Sequence, residues 1–238
     1  MKLEKYTKDK KALCFLDMPS LKKRSFFDKI NNEANVYVSA LKDRDFKASF
    51  FKCEIASTAF VLALLAKLGF EKEFLSLDEG YLSAESCFGE EEASELLDFL
   101  QGAEYIVFDT NLKFHKDYEN IVFFINFLSK KFKLKVANSD EDEGELEVLS
   151  EFKELKELDN YDGLVLFNAK VSNLQASKQF LQLAKTKDQS EILLQTPFFE
   201  RTCKIELNES LQGIIAFCDF QTQAYDFLKA QISQIKNL

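Results

Sequence analysis

Chain breakers are scarce in this protein, with 7 glycines and 2 prolines in 238 residues, which argues against a disordered or loop-dominated polypeptide. Tryptophan is missing and histidine occurs once, at His115. One histidine and no closely spaced cysteines speak against a zinc or iron–sulfur site built by this chain alone. The five cysteines (Cys14, Cys53, Cys87, Cys203 and Cys218) are odd in number and widely scattered. That suits reduced, buried thiols in a reducing compartment rather than a disulfide framework. The most apolar run, Ala59 to Ala66, falls far short of the ~20 residues a bilayer-crossing helix needs. Residues 1–11 are charged and lack the apolar core of a signal peptide. The expected location is therefore cytoplasmic, or peripheral on a membrane complex.

What is abundant is phenylalanine, 25 residues of it, in a composition that is 46% apolar. Aromatic packing must dominate whatever core forms. The length allows one large domain or two small ones. Charged residues make up 30% and the net charge is −9. An acidic surface opposes nucleic acid and anionic lipid, because both are held by Lys and Arg neutralising phosphate.

The pattern along the chain predicts an α/β fold. Lys11 to Leu16 and Asn35 to Leu41 read as strands, with Pro19 and Ser20 turning the chain into a helix that runs to about Asn32. Ala56 to Leu68 reads as a helix buried all round and closed by a glycine cap at Gly69. Gly89 and Glu90 to Glu92 open a helix to Leu100 that places acids at its positive end. A strand over 104–109, a helix over 117–132 and a strand over 133–137 make a βαβ unit with parallel strands. An acidic break at 140–147 divides an α/β region, 1–140, from a strand-rich region, 160–238. The last segment, about Gln221 to Ile235, reads as an amphipathic helix with Ala224, Leu228, Gln231, Ile232 and Ile235 on one stripe.

Candidate sites are few. The run Asp140 to Glu145 fails as a calcium loop, since Glu145 holds the sixth position where a glycine is required. Cys53 near a helix start could act as a nucleophile with His115, yet no spacing links them; the alternative is a packed thiol and a surface histidine. Neither a G-x-G-x-x-G nor a G-x-x-x-x-G-K-[ST] phrase occurs. A flavin or nucleotide in the crevice at the strand ends would be lined by Asp17, Ser20, Asp109, Thr110 and Asn111. Helix 117–132 carries one apolar stripe (Ile121, Phe124, Ile125, Leu128, Phe132) and a second apolar face (Val122, Phe123, Phe127). Either both faces are buried at home, or one of them meets another subunit.

Residues 174–217 carry a family resemblance. A helical phrase from Leu174 to Asp188 is followed by strand-like Glu191 to Thr196, Thr202 to Leu207 and Gly213 to Phe217. This order resembles the C-terminal β-barrel of molybdopterin-type oxidoreductase large subunits, among them the large peripheral subunit of respiratory complex I. Lys187 and Asp188 fit the family's turn, while Gln189 and Ser190 replace its glycine and acid, and Pro197 to Glu200 stands where an arginine–glycine pair is usual. Gly213 matches the glycine opening the last strand. The resemblance implies a degenerate barrel kept for packing, with no catalytic, cofactor-binding or metal residue carried over and no cofactor of its own. It further implies an accessory subunit of an NADH–quinone oxidoreductase, similar to the peripheral-arm subunit that replaces the NADH-binding subunits in some bacteria. Its partners would be other subunits of that complex, docked through Phe-rich surface near the electron-entry end.

Overall fold

The computed structural model describes residues 1–220 and 223–234, and the chain falls into two units, Met1–Leu158 and Asp159–Leu238. In the first unit the elements run β1 (Lys2–Leu3), β2 (Ala12–Phe15), α1 (Arg24–Ile30), β3 (Val36–Ser39), β4 (Ser49–Lys52), α2 (Thr58–Gly69), α3 (Glu79–Ser86), α4 (Glu90–Leu100), β5 (Tyr105–Phe108), α5 (Tyr118–Phe132), β6 (Lys135–Asn138) and β7 (Gly144–Glu145). Strands β4-β3-β2-β5-β6 form one sheet, every neighbouring pair parallel. Strands β2, β3 and β5 are buried at every position, which is why β2 and β5 read as unbroken apolar runs; β3, with Ser39 at its end, reads as alternating. Alternation then sends Ala12, Cys14, Tyr37 and Val107 into a cluster with Phe26, Phe27 and Ile30 of α1. Helix α2 is fully buried from Ala59 to Ala66 and packs on α3, α4 and α5.

Three expectations change here. Pro19 and Ser20 do not lead directly into the helix: Pro19–Leu21 is a single 3-10 turn after left-handed Met18 (φ 45°), and α1 starts only at Arg24. Gly69 is the last residue of α2, not a left-handed cap, and a Cβ there would stand 3.0 Å from Leu97 Cδ2 on α4. Close helix approach explains the glycine. The acidic break belongs to the first unit, because Gly144–Glu145 pairs with Lys2–Leu3 and the unit continues to Leu158.

The second unit comprises β8 (Leu164–Asn168), β9 (Leu174–Ala176), α6 (Lys178–Leu183), β10 (Glu191–Gln195), β11 (Glu200–Leu207), β12 (Ile215–Cys218) and β13 (Phe227–Gln234). The six strands close a barrel in the order β10-β11-β9-β12-β8-β13. Two pairs, β8 with β12 and β9 with β11, are parallel; the others are antiparallel. The lumen is filled by side chains, among them Leu166, Leu174, Phe180, Ile192, Leu194 and Ile205. A small barrel leaves room for little else.

The expected C-terminal helix is a strand. Leu228, Ala230 and Ile232 are buried or half-buried, while Lys229, Gln231 and Ser233 are exposed. That period of two pairs β13 with both β8 and β10 and closes the barrel. The i, i+4 stripe was real but secondary. Gln221, Thr222 and Ile235 of that expected helix lie outside the described residues. Gly213, at φ 73°, precedes β12, which is followed by β13 and so is not the last strand.

Ser177 ties the barrel together locally. Its hydroxyl accepts from Phe180 N at 3.0 Å, capping α6, and donates to the Gly213 carbonyl. Replacing Ser177 by Ala removes the cap and the hydrogen bond to the Gly213 carbonyl. Urea unfolding should show a loss of about 1–2 kcal/mol; an unchanged midpoint would refute the double role.

Candidate functional site

In a parallel sheet the ligand crevice lies at the carboxyl ends of the strands, where strand order reverses. That point falls between β2 and β5, which are neighbours in the sheet but far apart in sequence. The structure brings the sequence-derived candidates to the loops that follow these strands, but it gives most of them partners within the chain. Ser39 Oγ donates to Asp17. The amide and hydroxyl of Ser20 donate to Asp43 Oδ2 and Oδ1 at 2.7 and 2.9 Å. Asp109 is 4% exposed, and its Oδ1 accepts from Asn111 N at 3.1 Å and Ser139 Oγ at 3.2 Å. Thr110 N donates to Ser139 Oγ at 2.9 Å. Lys22 Nζ stands 3.2 Å from Asp109 Oδ2, an ion pair that supplies charge but no hydrogen bond to that buried oxygen. Sequence reasoning missed Lys22, Asp43 and Ser139, which lie in loops with no motif around them.

The Cys53–His115 idea fails on geometry. His115 is buried, not a surface residue. Its Nδ1 accepts from Asp117 N at 3.0 Å, so Nε2 carries the proton and donates to the Ala56 carbonyl at 2.7 Å. Both ring nitrogens are committed to backbone. Burial pushes the Cys53 thiol up to about 12, the opposite of an activated nucleophile. Burial likewise raises Cys14 and Cys203, and Cys218 to about 11. Only Cys87 is exposed. A thiol-specific chromogenic reagent at pH 8 should therefore modify Cys87 quickly, half-buried Cys203 slowly and the remaining thiols only on unfolding. Fast reaction of Cys53 in the native protein would contradict this packing.

The acidic run holds no metal cluster among the described residues. Its carboxylates disperse instead: Glu141 to Lys29, Glu143 to Lys5 at 2.8 Å, and Asp142 to Asn138 Nδ2 at 2.9 Å. No helix among the described residues is long and apolar enough to cross a membrane.

A second feature, not foreseen from the sequence, lies beside α5. Residues 148–157 form an irregular strap stitched to the start of that helix. Lys153 N donates to Asn120 Oδ1 at 2.8 Å and Lys156 N to Asp117 Oδ2 at 3.1 Å. Asn120 and Asp117 are themselves buried and joined at 3.0 Å. Phe152 of the strap lies among Phe74, Phe123 and Phe124, with ring centroids 5.6–5.9 Å away. The second apolar face of α5 is thus partly covered within its own unit. Between strap, α5 and the 73–82 segment runs a groove of about 1240 Å³, with Leu77, Phe127 and Leu155 half-exposed in its lining.

No protein-family model matches the chain, and no curated protein matches it in sequence.

Proposed function

We propose that this chain is a docking subunit of a respiratory NADH–quinone oxidoreductase of the complex I type, working through its surface rather than through an active site of its own. The observation that carries the reading is the self-filled crevice. At the switch point Asp43 and Ser139 occupy hydrogen-bonding groups that a nucleotide would need, and Lys22 sets its charge against Asp109. The barrel lumen is similarly taken up by apolar side chains. A sheet unit followed by a barrel, in the order the resemblance implies, supports the oxidoreductase setting. In that setting the chain would sit on the cytoplasmic face of the membrane through its partners.

The test is affinity purification of the tagged chain from membranes solubilised in mild detergent. Recovery of quinone-reductase subunits in fixed ratio is expected. Isolation as a stable monomer with no affinity for those subunits would refute the proposal.

One observation favours a second reading, a flavin or nucleotide site in the crevice. Asp109 Oδ2 is buried and accepts no hydrogen bond, so it could receive one from a ligand hydroxyl. Flavin mononucleotide or NADH should then raise the melting temperature, and a flat response to both would end that alternative.

A further inference from the structure

The strap sorts its charges. Glu151, Glu154 and Glu157 recur every third residue and line the groove. The lysines between them turn the other way: Lys153 Nζ reaches Glu119 Oε2 at 2.5 Å, and Lys156 Nζ reaches the Lys116 carbonyl. The three carboxylates form no ion pair among the described residues. On the facing wall, Tyr81 is 45% exposed. Its phenol is held above the usual range, first by partial burial and then by the negative charges of Glu85, Glu157 and Glu154. The strap side of the groove is therefore acidic at Glu151 and Glu154, while at Glu157 the Lys116 ammonium rests on the backbone carbonyl.

Lys130 and Lys131 of α5 stand at the rim, and Lys131 is already paired with Glu73 at 2.5 Å. Between the walls lie Leu77, Phe127 and Leu155, each partly open to solvent. At about 1240 Å³ the groove exceeds the 300–1,000 Å³ common for small-molecule pockets. Its walls are α5, α3 with the segment before it, and the strap. No strand edge lines it, and the strap amides of Lys153 and Lys156 are already donated to α5. An added β-strand would find its ladder interrupted at those two amides. A helix seated by its side chains needs no such edge.

We infer that the groove docks a lysine- or arginine-rich amphipathic helix of another protein, its apolar face on Leu77, Phe127 and Leu155 and its basic face along Glu151, Glu154 and Glu157. This deepens the docking reading and rests on it for the biological partner. Lys130 favours an acidic residue at the end of the helix that lies nearest it.

The full chain can be titrated with a labelled synthetic helix bearing leucines at i, i+3, i+4 and i+7 and lysines elsewhere, followed by fluorescence anisotropy. Saturable binding that weakens with salt is expected. Combining Glu151→Gln, Glu154→Gln and Glu157→Gln should weaken it roughly tenfold, the sum of three partly screened charge pairs. Leu77→Glu should weaken it further, while Glu91→Gln on α4, outside the groove, should change nothing. Equal affinity for a peptide with glutamate in place of lysine would overturn the inference. So would absence of binding, an unchanged triple variant, or a chain dimer that dissociates on Leu77→Glu. The membrane purification separates the two claims. If the triple variant still co-purifies with oxidoreductase subunits as wild type does, docking occurs elsewhere and only the groove falls. If the peptide binds but wild type recovers no such subunits, only the subunit assignment falls.

Discussion

Lys22→Met is expected to destabilise the protein by about 3 kcal/mol, with most of that loss recovered when Asp109→Asn is added. The reason is an asymmetry of buried ion pairs: removing one partner leaves the other charged, desolvated and uncompensated, at about 3–5 kcal/mol. The Asp109 side chain is only 6% exposed, so its carboxylate has little water to fall back on. Lys22 is 21% exposed, which places the effect at the lower end of that range. Asparagine at 109 keeps an acceptor for Asn111 N and Ser139 Oγ while discarding the charge. The two changes should therefore be strongly non-additive, the signature of groups in direct contact. Urea midpoints at constant slope measure it. A single-variant loss below about 0.5 kcal/mol would mean the pair behaves as an exposed one. The crevice would then be open and solvated, and the reading of a self-filled switch point would collapse with it.

What the sequence disclosed, and what it hid, follows from the range of the forces involved. Strands β2 and β5 and helices α2, α4 and α5 were readable because burial on one or more faces imprints a local pattern: an unbroken apolar run, or a 3.6-residue stripe. The end of the chain misled because Leu228 and Ile232 satisfy both periods, four apart and an even number apart. The exposed Lys229, Gln231 and Ser233, alternating with them, decide for the strand. Helix α3 was missed although Asp78 caps it, accepting from Tyr81 N at 2.8 Å, because Leu82 is its one fully buried apolar residue.

The strap was harder still. Its apolar spacing of three, Phe152, Leu155 and Leu158, suits a helical face rather than a strand. Residues 151–158 are all glutamate, lysine, leucine or phenylalanine, a composition that favours helix. Tertiary hydrogen bonds from its amides to Asn120 and Asp117 hold it out of a helix. Asn120 and Asp117 look like ordinary helix-surface residues until the strap is laid across them. The candidate crevice was similarly half visible. Asp17, Ser20 and Asp109 follow from their place after strands, but the residues that fill it come from loops whose positions only the folded chain fixes.

The 25 phenylalanines offer the sharpest test of where stability resides, since chemistry can be held constant while burial varies. Phe124 is fully buried, with ring centroids 5.3 Å from Phe123, 5.8 Å from Phe74 and 5.6 Å from Phe152. Phe124→Ala should cost about 3–5 kcal/mol, from lost transfer energy plus the cavity left in an interior that relaxes only partly. Edge-on and tilted ring contacts put it toward the upper figure. Phe198, in the turn between β10 and β11, is 57% exposed, and Phe198→Ala should stay within about 0.5 kcal/mol. The comparison is read from urea midpoints of the two variants. Similar losses at both sites would mean that Phe198 is covered in solution, by another copy or another protein. Tolerance at Phe124 would mean that the aromatic cluster beneath the strap is loosely packed. The groove would then have no firm floor on which a partner's apolar face could be anchored, and an ordered helix could not be recognised there by shape.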